Sequence, residues 1–322
     1  MINIPHIDEH IWDPATCAID IIGQLTMYGN VTINMDDEGA DLTALGLYAI
    51  LDKICKELNF NKKSINIITR NQLESHAEYK ITKLPPLYFI EGQQFIKDNP
   101  AKDKQFKNHY GIFIGRSSWQ RLLLSSYLYK HHKDKLNITY HYDRQVDYHR
   151  AHLGVNELTL RMGIPDTFEL TSHLLRNTPI KNENLSAQPV PTPEQYYISK
   201  IYHEFFVEIV CETFCAGSAF YPTEKIWRPI MNLTPFMVQG PIGFLGNLKQ
   251  LGFETFDKYW DESYDIDGNL GGIKTIQRNI DMLSTKSVDE IARMYTDMRP
   301  ILEHNQQVFL ELTNSKFKNI WN

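Results

Sequence analysis

The chain has 322 residues, of which 42% are apolar, and its formal net charge is −6 at pH 7. That length and apolar content suffice for two globular domains, each with its own core. The negative charge argues against duplex nucleic acid as a partner, because proteins that bind it usually present a strongly basic face. No stretch approaches the roughly 20 apolar residues of a membrane span, and the first residues lack the basic and apolar segments of a signal peptide. The four cysteines form no CxxC pair, so we expect reduced thiols and a cytoplasmic protein.

The first third of the chain has the pattern of a βαβ unit. Residues 31–34 predict a strand, and apolar residues at helical spacing predict a helix over residues 42–58, with Asp41 as its N-cap. Residues 65–69 predict the next strand, and residues 87–90 a third. A strand, a helix and a strand of these lengths usually form a parallel unit.

A lysine-rich polar segment follows, and we place a domain boundary there, with one domain over residues 1–107 and another over residues 108–322. The second domain again alternates strands with helices, beginning with a strand at residues 111–115, a helix at 119–129 and a strand at 138–142. Both domains are therefore predicted to be α/β and Rossmann-like. The chain is expected to end in helices, with a capping box at Ser287 and an interruption at Pro300.

Two arginines lie near the start of the second domain. Arg116 is in the turn after its first predicted strand, and Arg121 is early in the following helix. In a doubly wound sheet this turn lies at the edge that binds ligands. A guanidinium there can bind two phosphate oxygens in a fixed fork. On the residues alone, a place on the polar surface of the helix explains both arginines equally well.

The most informative stretch contains Glu212, Thr223, Glu224 and Lys225, after an apolar run at residues 205–210. The run predicts a buried strand that ends at Glu212, and Thr223 is a predicted helix N-cap. Free backbone N–H groups and the helix dipole favour anions at such a helix end. Lys225 adds a positive charge for a phosphate, whereas Glu224 suits neutral hydroxyl groups such as a ribose diol. Together they predict a ligand that has both a sugar and a phosphate.

These residues resemble the signature of the family 10 glycosyltransferases, the α1,3/4-fucosyltransferases. The family pattern is roughly Glu-Asn-Ser, a short gap, Tyr-x-Thr-Glu-Lys, an aromatic residue, Arg-Pro and a strand that begins with proline. This chain has Glu212, then Tyr-Pro-Thr-Glu-Lys-Ile-Trp-Arg-Pro-Ile at residues 221–230, then Pro235. It departs from the pattern at residues 213–214, where Thr-Phe replaces Asn-Ser, and in a slightly longer gap. The resemblance covers the last third of the chain well and the middle weakly.

The resemblance implies a GT-B fold, in which two Rossmann-like domains face each other, here with a small first domain and helices at the end of the chain. It implies an inverting glycosyltransferase that moves fucose from GDP-fucose to a hydroxyl group of a glycan, with no cofactor and no essential metal bound by protein. The implied donor-binding residues are Arg116, Arg121, Glu212, Thr223, Glu224 and Lys225. Residues 240–241, 251–256 and 260–265 resemble the extended form of the motif that microbial and viral members have. Eukaryotic members are typically anchored by a membrane span, so the resemblance implies a protein of a bacterial or infected-host cytosol.

Inversion also requires a general base within hydrogen-bond reach of the attacking hydroxyl group. We expect this base in the first domain, where Glu38, Glu74 and Glu91 are the candidates. Glu91 is preferred because it closes an apparent strand, and Glu212 is the second catalytic candidate, next to the transferred sugar.

Two other functions stay open at this point. The chain is a transferase for another nucleotide-sugar, or it is an inactive nucleotide- or glycan-binding module that keeps Lys225 and Arg116. Asp265 and Asp267 match the DxD triplet of metal-dependent sugar transferases, but they follow the expected strand too late to form that metal site. The histidines and aspartates of residues 141–152 do not specify a ligand geometry, so no metal site is predicted.

Overall fold

A computed structural model describes residues 2–3, 14–35, 39–84, 104–115, 117–140, 167–180, 201–213, 215 and 217–315. These residues form two parallel four-stranded sheets and eight α-helices. The predicted α/β class with parallel sheets is confirmed, and it is compatible with a Rossmann-like fold. The described residues divide into two compact units, one with the residues up to 84 together with 215 and 217–222, the other with 104–213 and 223–315. The boundary at residue 107 stays a prediction.

The sheet of the first unit has the strand order β1-β2-β3-β4, and every neighbouring pair is parallel. Its strands are β1 (Ile2–Asn3), β2 (Val31–Met35), β3 (Ile65–Thr69) and β4 (Lys80–Lys83), and its helices are α1 (Pro14–Tyr28) and α2 (Leu47–Leu58). Buried and half-buried residues alternate along β2 and β3, so one face of each strand contributes to the core. Both predicted strands are confirmed, whereas residues 87–90 lie outside the described residues.

Helix α2 begins five residues later than predicted, at Leu47 rather than at residue 42. The predicted cap, Asp41, is present, because its carboxylate accepts hydrogen bonds from the backbone N–H groups of Thr43 at 3.0 Å and Ala44 at 2.9 Å. It caps only a turn, however, since Gly46 adopts a left-handed backbone with φ of 74°. That conformation cannot continue a right-handed helix, so the helix starts after it.

Residues 217–222, which we call the bridging loop, belong to the first unit together with residue 215, although the chain up to residue 213 and from residue 223 belongs to the second. The backbone N–H of Ser218 donates to the carboxylate of Asp41 at 2.9 Å. The backbone N–H of Phe220 donates to the side-chain oxygen of Asn71, also at 2.9 Å. The loop is therefore fixed by residues that follow β2 and β3.

The sheet of the second unit has the strand order β6-β5-β7-β8, and it too is parallel. Its strands are β5 (Asn108–Ile114), β6 (Leu136–Tyr140), β7 (Phe205–Cys211) and β8 (Phe236–Gln239). Its helices are α3 (Trp119–His131), α4 (Thr167–Leu175), α5 (Glu224–Met231), α6 (Phe244–Gln250), α7 (Gly268–Ser284) and α8 (Val288–Ser315). Every residue of β7 is buried, as expected for an inner strand covered on both faces.

Helices α3 and α7 cover one face of this sheet. The hydroxyl group of Tyr110, on β5, donates to the carbonyl oxygen of Ile280 in α7 at 2.6 Å. The hydroxyl group of Tyr127, on α3, donates to the carboxylate of Asp281 in α7, also at 2.6 Å. The helix that follows β5 therefore lies on the same face as Tyr110.

Helix α5, which follows β7, lies on the opposite face. Tyr110 is paired with Val207 of β7, and paired residues of parallel strands point to the same face. The next residue, Glu208, therefore points to the other face, where its carboxylate accepts a hydrogen bond from Arg228 of α5 at 2.8 Å. Adjacent strands whose following helices leave on opposite faces form a topological switch point, and α/β proteins bind ligands at the carboxyl ends of such strands.

The last helix passes through Pro300 without ending. The predicted capping box is confirmed, because Glu290 accepts a hydrogen bond from the backbone N–H of Ser287 at 2.7 Å and donates its own N–H to the Ser287 hydroxyl group at 3.3 Å. The predicted interruption at Pro300 was wrong, since α8 is continuous. Met298 and Leu302, on either side of the proline, are both buried, so packing on the core holds the two halves in line.

We predict that Trp227→Ala lowers the free energy of unfolding by about 3–5 kcal/mol, the usual effect of an emptied aromatic site. Trp227 is fully buried, and its ring centroid lies 5.7 Å from that of Phe253 and 5.5 Å from that of Phe309. Urea unfolding of parent and variant measures the change. Ile266→Ala is the control, because Ile266 is 73% exposed and its loss should matter by less than about 0.5 kcal/mol. Equal effects of the two substitutions would contradict the prediction.

Candidate functional site

The candidate site lies at the carboxyl end of β7, where Glu212 directly follows the strand. Glu212 is 1% exposed, and its backbone N–H donates to the carbonyl oxygen of Gln239, at the end of β8, at 2.9 Å. Its carboxylate accepts two hydrogen bonds from Thr223, one from the backbone N–H at 3.2 Å and one from the hydroxyl group at 2.5 Å. The end of β7 is thereby joined to the start of α5.

Thr223 is the N-cap of α5, as predicted. Its backbone is extended, and its hydroxyl oxygen accepts a hydrogen bond from the backbone N–H of Lys225 at 3.2 Å, which is the usual capping geometry. The Thr223 hydroxyl group donates a hydrogen bond to Glu212, and its oxygen accepts one from the first turn of the helix. A single side chain therefore satisfies both the strand end and the helix start.

The ammonium group of Lys225 has three oxygen neighbours. It lies 2.7 Å from the carboxylate of Glu224, 3.3 Å from the hydroxyl oxygen of Thr223 and 3.4 Å from that of Thr213. The side chains of Glu224 and Lys225 are 12% and 20% exposed. Of the predicted donor-binding residues, the structure thus brings Glu212, Thr223, Glu224 and Lys225 into one cluster.

The two carboxyl groups of this cluster differ in acidity. Burial raises the pKa of Glu212 above its ordinary value, although the charge of Lys225 and the bonds from Thr223 oppose the rise. Burial acts in the same direction on Glu224, but the charge and hydrogen bond of Lys225, together with the charge of Arg228, outweigh it and lower the pKa of Glu224. Glu224 is therefore held as an ionised partner of Lys225, while Glu212 is the costlier of the two to ionise.

Arg121 reaches the same strand end from α3, on the other face of the sheet. Its guanidinium donates to the backbone carbonyl oxygen of Glu212 at 3.1 Å and lies 3.5 Å from that of Cys211. The structure therefore brings Arg121 to the site and uses part of its guanidinium to hold the end of β7. The other predicted site residues, Arg116 and Glu91, lie outside the described residues.

Glu74, a candidate general base, lies in the first unit after β3. It is 6% exposed, and its carboxylate accepts hydrogen bonds from the hydroxyl group of Tyr48 at 2.7 Å, the backbone N–H of Leu42 at 3.3 Å and the side-chain amide of Asn71 at 3.3 Å. Burial raises its pKa, and these donors oppose the rise. Both oxygens of Glu74 therefore hold the chain around β3 together. Glu38 lies outside the described residues.

Sequence reasoning missed a buried ion pair that connects the same strand and helix. Glu208 is fully buried, and its carboxylate accepts hydrogen bonds from the guanidinium of Arg228 at 2.8 Å and from the hydroxyl group of Tyr202 at 2.7 Å. Burial raises the pKa of Glu208, although the charge of Arg228 and both hydrogen bonds oppose it. A signal was available, because Glu208 interrupts an otherwise apolar strand, and a buried carboxylate requires a partner.

Asp265, the first residue of the acidic triplet, caps the start of α6. The carboxylate of Asp265 accepts hydrogen bonds from the backbone N–H groups of Leu245 at 2.8 Å and Gly246 at 3.2 Å, in the first turn of α6. Across the described residues, no group of three or more histidine, cysteine, aspartate or glutamate side chains is arranged to hold a metal ion. Residues 141–152 lie outside that part of the chain.

Comparisons of the chain with protein-family models, with curated proteins and with solved structures found no match. The resemblance to the family 10 glycosyltransferases therefore stays a prediction from the motif. Within the described ranges, no helix is both long and apolar enough to cross a membrane.

We predict that Glu212→Gln changes the pH dependence of stability. Because the folded-state pKa of Glu212 is raised, ionising this group costs folding free energy. The cost is absent below the ordinary pKa of 4.5, and it grows as pH rises through the folded-state pKa. Glutamine cannot ionise, so the unfolding free energy of the variant, minus that of the parent, should increase as pH rises above the ordinary pKa of 4.5.

Urea unfolding at a series of pH values measures this difference. Glu254→Gln is the matched control for the loss of one carboxylate, because the Glu254 side chain is exposed. A difference between Glu212→Gln and the parent that stays constant over the whole pH range would contradict the prediction.

Proposed function

We propose that the protein is a glycosyltransferase of the GT-B type, which transfers a sugar with inversion from a nucleoside diphosphate sugar to a hydroxyl group of a glycan. The proposed donor is GDP-fucose. The observation that carries the proposal is the pair of Glu224 and Lys225 at the start of α5, beside the end of β7 at the switch point of the sheet. The resemblance of the surrounding motif supports the same function.

Lys225 suits the leaving diphosphate, on which negative charge builds as the sugar departs. Its contacts with Thr213 and Thr223, at 3.4 and 3.3 Å, are longer than a normal hydrogen bond, whereas its contact with Glu224 is short at 2.7 Å. Two of its three donors are thus weakly used and can turn to phosphate oxygens. The helix dipole favours an anion at the start of α5.

Glu224 suits the hydroxyl groups of the donor, because an ionised carboxylate only accepts hydrogen bonds. Its lowered pKa keeps it in that form. Arg116 and Arg121 are proposed as further cations for the diphosphate. Glu212 gives both carboxylate oxygens to Thr223, so we assign it the positioning of Thr223 and Lys225, and a direct contact with the transferred sugar stays a prediction.

Inversion in one step needs a base that removes the proton of the attacking hydroxyl group while its oxygen bonds to the anomeric carbon and the bond to the diphosphate breaks. The proposed base comes from the predicted first domain, residues 1–107, with Glu91 preferred over Glu38 and Glu74. Glu74 would have to give up at least one of its three hydrogen bonds to act in this way.

A thermal-shift panel of GDP, UDP, CMP and their sugar derivatives tests the donor. A ligand at 100 times its Kd stabilises the folded state by about 2.7 kcal/mol, so GDP and GDP-fucose should raise the Tm more than the others. A larger shift with another nucleotide supports a transferase for a different donor, and no shift with any of them contradicts the proposal.

Slow hydrolysis separates an enzyme from a binding module. A working transferase is expected to release some fucose from radiolabelled GDP-fucose to water when no acceptor is present. Binding of GDP-fucose without any release of fucose would favour the module that has lost turnover.

We predict that Lys225→Ala weakens the binding of GDP by about 10- to 150-fold, the range expected for a lost charge-assisted hydrogen bond. Isothermal titration measures the two Kd values, and circular dichroism checks that the variant is folded, because the carboxylate of Glu224 loses its cation. Lys107→Ala is the control, because Lys107 is a 65% exposed lysine of the same unit and lies outside the cluster. An unchanged Kd in Lys225→Ala would show that the lysine does not bind the donor.

A further inference from the structure

We infer that His109 makes the turn between α7 and α8 sensitive to acid. The neutral imidazole holds this turn, residues 285–287, against β5, and uptake of a proton by the imidazole favours its release. His109 lies at the amino end of β5, whereas the candidate site lies at the carboxyl end of the parallel strand β7. The inference therefore goes beyond the proposed function and needs no ligand.

The turn of residues 285–287 carries the chain from one face of the sheet to the other. Helix α7, before the turn, lies on the face to which Tyr110 points. Helix α8, after the turn, lies on the face of α5, because the ring centroid of Phe309 is 5.5 Å from that of Trp227. His109 precedes Tyr110 on β5, so its side chain points to the face of α8. Two neighbouring residues of β5 thus bind the chain before and after it crosses.

The imidazole of His109 is attached to the turn through one of its two nitrogens. Only 3% of the residue is exposed, and Nε2 lies 2.9 Å from the backbone carbonyl oxygen of Lys286. A carbonyl oxygen only accepts hydrogen bonds, so Nε2 carries the proton. The other nitrogen, Nδ1, is buried and has no hydrogen-bond partner within the described part of the chain. The neutral ring therefore satisfies the turn and leaves Nδ1 with an unused lone pair.

A proton on Nδ1 of His109 is costly in this place. It creates a buried N–H group without an acceptor and a charge that is removed from water. Both costs disappear when the ring reaches solvent. The ring must then leave its position, and its hydrogen bond to Lys286 is lost. Uptake of a proton therefore favours the state in which the turn is released.

The charged groups around His109 act mainly against its protonation. Burial lowers the pKa of His109 below its ordinary value of 6.5, and the charges of Lys135 and His132 act in the same direction. The hydrogen bond to Lys286 and the charge of Asp134 oppose this shift. The charged residues just before β5 and in the first two turns of α8 are exposed to solvent: Lys107, Asp289, Glu290 and Arg293.

The lowered pKa of His109 sets the direction of the pH dependence. When the turn is open and the ring is in water, His109 takes up a proton at its ordinary pKa of 6.5. When the turn is closed, it does so only at lower pH. The free energy of opening is therefore fully present above about pH 6.5 and falls as the pH decreases below that value.

Hydrogen exchange of the full-length protein, followed by mass spectrometry at about pH 7.5 and about pH 5.5, tests the inference. After correction for intrinsic exchange rates, the protection of residues 284–291 in the parent should fall by about 3- to 10-fold between the two pH values. Tenfold is about the limit for one proton and an ordinary pKa of 6.5. His109→Gln should keep its protection, because glutamine can donate to Lys286 but cannot titrate.

His304→Gln is the matched control. Nε2 of His304 also lies 2.9 Å from a backbone carbonyl oxygen, that of Gly252, but His304 is exposed. This variant should therefore show the same fall in the protection of residues 284–291 as the parent.

Three results would overturn the inference. The first is constant protection of residues 284–291 in the parent. The second is a fall in His109→Gln as large as in the parent, which would assign the pH dependence to another group such as His132. The third is an equal fall in the core strand Phe205–Cys211, which would show that the whole unit unfolds.

A second variant keeps the test open if circular dichroism shows that His109→Gln is unfolded. His109→Phe then takes its place, because phenylalanine fills a similar space and cannot titrate. Its residues 284–291 should be less protected than those of the parent at the higher pH, and their protection should not depend on pH. A fall as large as that of the parent would overturn the inference.

Discussion

The contact between the carboxylate of Glu212 and the two donors of Thr223 holds the end of a strand against the beginning of a helix, and the site depends on it. Thr223 in turn caps α5 and lies beside the ammonium group of Lys225. Further along the same strand and helix, Glu208 and Arg228 form a second buried contact. Removal of one partner from such a pair typically destabilises a protein by about 3–5 kcal/mol, because the other charge is left buried and alone. Two buried contacts thus hold β7 and α5 together.

This arrangement also explains how two neighbouring carboxyl groups serve different purposes. Glu212 is enclosed and satisfied by neutral donors, so it acts as a fixed part of the scaffold. Glu224 sits against a cation and keeps its charge, so it remains able to accept hydrogen bonds from a ligand. In the proposed function, the diphosphate takes the donors of Lys225 that now face Thr213 and Thr223, while Glu224 accepts hydrogen bonds from the hydroxyl groups of the same donor.

The sequence predicted the elements that depend on the local pattern of residues. It missed the features that depend on backbone conformation or on packing between distant parts of the chain. Alternating apolar residues identified β2 and β3, and the hydroxyl group of Thr223 before a helical pattern identified the start of α5. The start of α2 was misjudged because the left-handed backbone of Gly46 does not follow from residue type alone. The contact of Arg121 with the end of β7 depends on how α3 packs across the sheet, and no spacing along the chain encodes that.

The course of the polypeptide has a consequence for how this protein can be dissected. The bridging loop is part of the first unit, yet it is translated long after the residues of that unit up to 84, between Thr213 and Thr223 of the second. A piece that ends before the loop lacks the residues that Asp41 and Asn71 bind, and the complementary piece carries the loop without those partners. The hydrogen bonds that join the bridging loop to Asp41 and Asn71 can therefore form during synthesis only after residues 217–222 have left the ribosome.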